Sequence, residues 1–175
     1  MEAYLELPGN LLVEFTDGHI EVLPMPTLAH QSIVFYLARL LNAFVEANQL
    51  GRVFIAPLPM RLDPRTYREP DVIFLSAERP ERRAGDYPDG ADLVMEVVSG
   101  GRADRRRDLV TKRAEYAAAG IREYWIVDLE KATITVLRLE GDAYVEHGRF
   151  RQGEATSALL PGFTAPVADV FAAAE

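Results

Sequence analysis

Cysteine is absent from the 175 residues, tryptophan occurs once and histidine three times. Without thiols there is no disulfide scaffold, thiolate metal site or cysteine nucleophile. This suits a reducing compartment, and a cytoplasmic protein is expected. Basic residues are also scarce: 19 Lys and Arg stand against 27 Asp and Glu, a net charge of -8. That balance excludes a globally basic wrapper of nucleic acid but leaves room for a local basic patch. Long apolar runs are missing too. The longest near the N-terminus, 33–38, falls far short of a bilayer span, and the first residues lack a basic-then-apolar leader pattern. A soluble protein with no membrane partner is expected. What the chain does hold is 49% hydrophobic residues, enough for a sizeable core in one domain spanning 1–175.

The pattern of elements is mixed. Asp17-Gly18, flanked by β-rich residues 11–15 and 19–23, reads as a hairpin turn. Pro24 and Pro26 stop the second strand. Thr27 then caps a helix whose apolar positions include Val34, Leu37, Leu41 and Val45, ending near Asn48 and Gly51. Residues 52–56 and 60–62 read as a strand pair, 71–75 as a short buried strand, and 76–92 as a charged surface loop. A central strand at 92–98 precedes a helix over 104–119 that Gly120 terminates. Strands at 124–128, 133–137 and 143–146 follow, then a tail that packs back as a turn and short helix. This order predicts an α/β domain of mixed α+β type: a central mixed sheet flanked by helices, with an N-terminal β-hairpin.

Glu96 is the most informative residue. It interrupts the apolar run Leu93-Val94-Met95 and Val97-Val98, and alternation puts it on one face with Val94 and Val98. An isolated buried carboxylate would cost several kcal/mol unless paired, protonated or bound to a metal. Asp71, opening another apolar strand after Pro70, is its natural companion. Two such acids on adjacent strands can converge on a hard divalent cation; equally, Asp71 can cap a turn while Glu96 pairs with an arginine. In the following helix Asp108, Lys112 and Tyr116 recur every four residues on one face. That arrangement delivers a lysine to the carboxylates, or else makes an exposed ion pair with the tyrosine packed in the core.

Together these residues carry a family pattern. Phe15-Thr16-Asp17-Gly18-His19-Ile20-Glu21-Val22, Pro26-Thr27-x-x-His30, Pro70-Asp71 and Glu96-Val97-Val98 occur in order. Lys112-x-x-x-Tyr116, Glu123-Tyr124-Trp125-Ile126-Val127-Asp128 and Leu160-Pro161-Gly162-Phe163 complete it. The chain resembles the Uma-two family of restriction-endonuclease-like proteins, grouped with the PD-(D/E)XK nucleases. The resemblance implies a restriction-endonuclease-like core and an endonuclease that hydrolyses nucleic-acid phosphodiester bonds. By this resemblance Asp71 and Glu96 bind Mg2+, or Mn2+ in its place, with His30 as a further candidate ligand. The family pattern places a lysine two residues beyond the glutamate, where this chain has Val98. Lys112 is the expected substitute, giving a catalytic set of Asp71, Glu96 and Lys112 supported by His30 and Tyr116, with Tyr116 positioning Lys112.

The only dense basic stretch lies beside these residues. Arg102, Arg105, Arg106 and Arg113 are candidate contacts to a nucleic-acid backbone, with DNA the expected substrate. Three consecutive arginines at 105–107 cannot all face one ligand on a helix, so only a subset can serve. Homo-oligomerisation is expected by analogy with folds of this type. The competing reading, prompted by Val98, is a catalytically weak or inactive nuclease-fold module used for protein interaction or nucleic-acid binding.

Overall fold

The computed structural model describes residues 13–16, 18–98, 101 and 105–175. Its centre is a six-stranded mixed sheet with spatial order β10-β9-β8-β7-β6-β3. These strands are β3 (Gly51–Ile55), β6 (Val72–Ser76), β7 (Leu93–Val98), β8 (Glu123–Asp128), β9 (Thr133–Glu140) and β10 (Ala143–Phe150). Only the β7–β8 pair is parallel, and the helical run 105–118 makes the crossover between them. β7 and β8 are buried along their whole length, which is why both read as near-continuous apolar runs.

Alternation along these strands divides the core in two. On one face Phe74, Met95, Val97, Trp125 and Val136 pack under α1 (Leu28–Ala47) and the C-terminal tail. Thr27 caps α1 as expected, its Oγ1 accepting from the His30 backbone N–H at 3.2 Å. By length and composition α1 could cross a membrane. Here its apolar stripe, Ile33, Leu37, Leu41 and Val45, is spent on the sheet, while Gln31, Arg39 and Glu46 face outward. On the opposite face Val94, Val98, Tyr124, Ile126 and Leu137 pack under α2 (Lys112–Ala118). Glu96 points to this second face.

A smaller four-stranded sheet, order β2-β1-β5-β4, adjoins that face. It contains the expected hairpin, β1 (Val13–Thr16) with β2 (His19–Val22), plus β4 (Met60–Asp63) and β5 (Thr66–Arg68). Gly18, at φ +86, supplies the left-handed residue of the hairpin turn. Residues 11, 12 and Asp17 of the expected hairpin lie outside the described residues.

The expected pairing of 52–56 with 60–62 is not made. β3 pairs with β6 in the large sheet, and β4 pairs with β5 in the small one, so the chain changes sheets between Ile55 and Met60. The tail also departs from a simple turn and helix. β11 (Glu154–Thr156) and β12 (Thr164–Pro166) form a two-stranded ribbon before α3 (Val167–Ala172). Glu123 anchors this tail: its fully buried carboxylate accepts from Trp125 Nε1 at 2.7 Å, Ser157 Oγ at 2.6 Å and the backbone N–H groups of Ala158 and Leu159.

Candidate active site

The β6–β7 register pairs Val72 with Met95. One step further along these antiparallel strands, Asp71 stands opposite Glu96. Asp71 Oδ2 accepts from the Val97 backbone N–H at 2.7 Å, which ties the end of β6 to β7. His30, in the first turn of α1, brings Nε2 to 3.3 Å from the same oxygen. Its Nδ1 is buried without a hydrogen-bond partner. Burial alone would lower the His30 pKa, but Asp71, with Glu96 and Asp108 behind it, raises it.

The other wall comes from the helical run. It starts at 105, passes through a π-helical turn at Arg107–Thr111 and continues as α2. In the π turn the Lys112 backbone N–H bonds back to the Arg107 carbonyl, five residues away. The Asp108 carbonyl accepts instead from the buried Tyr124 hydroxyl at 2.9 Å. This wider turn aims Lys112 and Tyr116 at β7. Lys112 Nζ donates to Glu96 Oε1 at 2.8 Å, and the Tyr116 hydroxyl donates to the same oxygen at 2.7 Å. The Tyr116 hydroxyl thus meets Glu96, whereas the sequence pattern pairs Tyr116 with Lys112.

Lys112 is only 2% exposed and meets two further acids, Glu14 Oε1 at 3.0 Å and Asp108 Oδ1 at 3.5 Å. Burial lowers a lysine pKa, but Glu96, Glu14 and Asp108 outweigh it and hold the ammonium charged. The expectation that Lys112 can reach the carboxylates from the helix agrees with this geometry. The alternative of an exposed Asp108–Lys112 pair does not, since both residues are buried.

Glu14, absent from the sequence-based candidates, is fully buried in β1. Extending the Phe15–Tyr67 register places it opposite Arg68 of β5. Arg68 donates Nη1 to Glu14 at 2.7 Å and spans to Glu115 of α2 through Nε and Nη2, both at 2.8 Å. Burial pushes the Glu14 pKa up; the Lys112 and Arg68 charges overcome that and hold it below the ordinary value. Glu115–Arg68–Glu14–Lys112–Glu96 therefore forms one continuous chain of touching ionisable side chains, buried from Arg68 to Glu96. A clue to Glu14 was present in the sequence, because it interrupts Val13 and Phe15 as Glu96 interrupts its own strand.

Asp71, Glu96, Lys112, His30, Asp108, Glu69 and Arg107 all line one cleft of about 360 Å³, together with Pro24, Met25 and Pro26. Acids outnumber cations here. Burial first, then the neighbouring charges of Asp71, Asp108 and Glu14, push the Glu96 pKa to about 8 even with Lys112 beside it. Burial likewise raises Asp108. Among the described residues no three His, Asp or Glu side chains converge into a ready-made metal cage. The donor chemistry fits a Mg2+ site all the same: Asp71 and Glu96 offer hard oxygens from adjoining strands in an acid-rich cleft. Mg2+ ordinarily takes one or two carboxylates and completes its shell with water and phosphate.

The chain matches, over residues 1–168, the model of the Uma2 family, described as Putative restriction endonuclease. It belongs to the Uma2 family. No curated protein matches it in sequence. Among solved structures it is similar to a putative nuclease belonging to DUF820 from Anabaena variabilis, with a TM-score of 0.78 at 18% identity. That similarity covers 99% of this chain and 98% of the other, so the fold, hairpin included, is that of a nuclease-like protein.

The remaining expected residues are distributed as follows in this Uma2 chain. Arg105 is tied to Asp128 by two hydrogen bonds at 3.0 and 2.5 Å and reaches Glu130 at 3.2 Å. Arg106 and Arg113 are exposed, Arg113 donating to the Tyr144 carbonyl. Arg102 lies outside the described residues. Arg107, from the same basic stretch, lines the cleft and contacts Glu21 at 3.2 Å. The Glu-Tyr-Trp-Ile-Val-Asp block serves structure: Glu123 fastens the tail, Trp125 fills the core and Asp128 clamps Arg105.

Proposed function

We propose that this chain is a Mg2+-dependent endonuclease of PD-(D/E)XK type acting on DNA, with Mn2+ able to replace Mg2+. The observation that carries this reading is the acid-rich cleft in which Asp71 and Glu96, from adjoining strands, stand with a buried lysine. Such a cleft repels a phosphodiester as it stands, and a divalent cation reverses the sign of that interaction. Asp71 and Glu96 would hold the ion, with His30 beside Asp71. When bound, the ion supplies Lewis-acid polarisation of the phosphate and a lower pKa for a coordinated water.

The chain's own groups do the rest. Tyr116 and Lys112 fix the Glu96 carboxylate through two short hydrogen bonds, so the ligand is preorganised. Lys112 keeps a positive charge at the strand face where Val98 cannot, and so opposes the negative charge that builds up on a phosphate under attack. Glu14 holds Lys112 from the side of the small sheet. Arg107 at the cleft lining meets phosphate oxygens on entry.

The test is cleavage of supercoiled and linear DNA with Mg2+ or Mn2+ by wild type, Asp71→Asn and Glu96→Gln, each checked for a native thermal transition. Loss of at least about a hundredfold in rate in both folded variants supports the reading. Cleavage by Glu96→Gln at the wild-type rate would overturn it.

A further inference from the structure

A second depression, about 400 Å³, lies on the same sheet face on the far side of the helical run 105–118. Its lining carries Arg113, Lys131, Arg149 and Arg151 against two carboxylates, Asp128 and Glu146. Asp128 is matched from outside by Arg105 and from within by Lys131 at 3.9 Å, which leaves three arginines against Glu146. Glu146 pairs with Arg149 at 2.6 Å, but both ends of that pair are about half exposed, so a stronger anion can compete for the arginine. Arg113 donates to a neutral carbonyl, and Arg151 has no ion-pair partner among the described residues. The groove is therefore cationic in a chain whose net charge is -8. Thr133 and Thr135 lie on its floor.

The two depressions are neighbours. Lys112 and Arg113 are consecutive, yet Lys112 lines the first and Arg113 the second, so only the width of a helix, about 10 Å, separates them. The exposed residues of the helix crest are Arg106, Val110, Thr111, Arg113, Ala114 and Ala118. None is acidic. From Arg107 at the first cleft, over Arg106 and Arg113, to Arg149 and Arg151 runs a surface path marked at each stage by an arginine.

We propose that this groove is a second nucleic-acid site, which grips the phosphate backbone of a DNA strand about a helix width from the cleft where Asp71 and Glu96 stand. The inference rests on the reading of the first cleft as a nuclease site, because that reading supplies the strand to be gripped. Arginines with exposed, weakly held guanidiniums suit this task, since each can fork onto phosphate oxygens without reading a base. The groove thus adds affinity and register rather than sequence choice.

The test separates binding from cutting. Binding of a labelled DNA duplex of about twenty base pairs is followed by fluorescence anisotropy in EDTA, over a range of salt concentrations. Wild type is compared with Arg149→Glu/Arg151→Glu and with Arg39→Glu/Arg52→Glu, which makes the same net-charge change on α1 and β3. All three proteins must show the same far-UV circular dichroism and cooperative melting. The expected result is at least a tenfold loss of affinity for the groove variant only, with its salt slope shallower by about 2, as expected for two lost phosphate contacts. Equal losses in both variants, an unchanged slope, or no binding by wild type would each overturn the proposal. Retention of anionic vesicles by the groove without DNA binding would overturn it too. Whether wild type cuts DNA with Mg2+ is scored separately, so failure of the first cleft as a nuclease site is not confused with failure of the groove as a binding site.

Discussion

Replacing Arg68 with methionine tests the buried ion chain at its centre. Arg68 is 2% exposed and makes three charged hydrogen bonds, one to Glu14 and two to Glu115. Methionine keeps most of the volume and removes the charge. Glu115, partly exposed, can turn to water, but Glu14 is fully buried and would keep only Lys112 as a charged partner, with the Glu69 backbone N–H donating to it at 3.3 Å. Removing one partner of a buried pair costs about 3–5 kcal/mol, mostly because the other charge is stranded. The lone tryptophan, Trp125, is fully buried and reports global unfolding by fluorescence in urea. With a urea dependence of about 2 kcal/mol per molar, the midpoint should fall by about 2 M. The double variant Glu14→Gln/Arg68→Met strands no charge, so it should recover at least about 1 kcal/mol relative to Arg68→Met. A loss below about 1 kcal/mol for Arg68→Met, or a double variant no better than the single one, would refute the claim that this arginine neutralises Glu14.

Four further outcomes follow from the structure. Glu96 has its pKa pushed to about 8 by burial against an ordinary value of 4.5, so between those values the folded state holds the extra proton. Stability should therefore fall as pH rises from about 5 to 8, by at most about 1.4 kcal/mol per unit, and Glu96→Gln should flatten that slope in urea titrations. Parallel curves would rule the assignment out. Glu14 works in the opposite sense: its lowered pKa gives stability that is present above 4.5 and lost as pH falls below it. Acid unfolding of Glu14→Gln should accordingly be shallower than that of wild type. Mg2+ at a hundred times its dissociation constant should stabilise wild type by about 3 kcal/mol and leave Asp71→Asn unmoved, read as a shift in thermal midpoint. Finally, Glu123→Ala removes four hydrogen bonds to a buried carboxylate, so a loss of about 2–4 kcal/mol is expected. Amide exchange at 157–160 should accelerate in that variant; protection as in wild type would count against Glu123 as the tail's anchor.

Local signals were the legible ones. Asp-Gly at the hairpin, Thr27 at the head of α1 and the apolar run around Glu96 each act over a few residues, so propensity and alternation sufficed to find them. Asp71 and Glu96 could be named as a pair because a carboxylate in an apolar strand needs a partner wherever it folds. Glu14 obeyed the same logic but met Arg68 only through a three-residue strand, β5, too short to leave a periodic trace. The same short strand captured β4, which is why 60–62 does not pair with 52–56. The direction of Tyr116 was illegible for another reason. An ideal α-helix aligns residues four apart, and the π turn before Lys112 changes how the helix meets β7.

The substitution of Val98 for a strand lysine has a consequence for how the site is held. A lysine on β7 would be fixed by the strand that carries Glu96, and the pair would be as rigid as the sheet. Lys112 instead arrives from a helix, so its position depends on whatever holds that helix against β7. Three contacts do so around the site: Tyr124 on the Asp108 carbonyl, Tyr116 on Glu96, and Arg68 on Glu115. The first two belong to the large sheet and its covering helix, but Arg68 belongs to β5 and is tied through Glu14 to the hairpin. The N-terminal hairpin is thereby made part of the site's rigidity, although it adds no residue to the proposed Mg2+ ligands. It follows that perturbing β1 or β5 should loosen Lys112 before it unfolds the core, because among the described residues the hydrophobic clusters on both sheet faces take no side chain from β1 or β2.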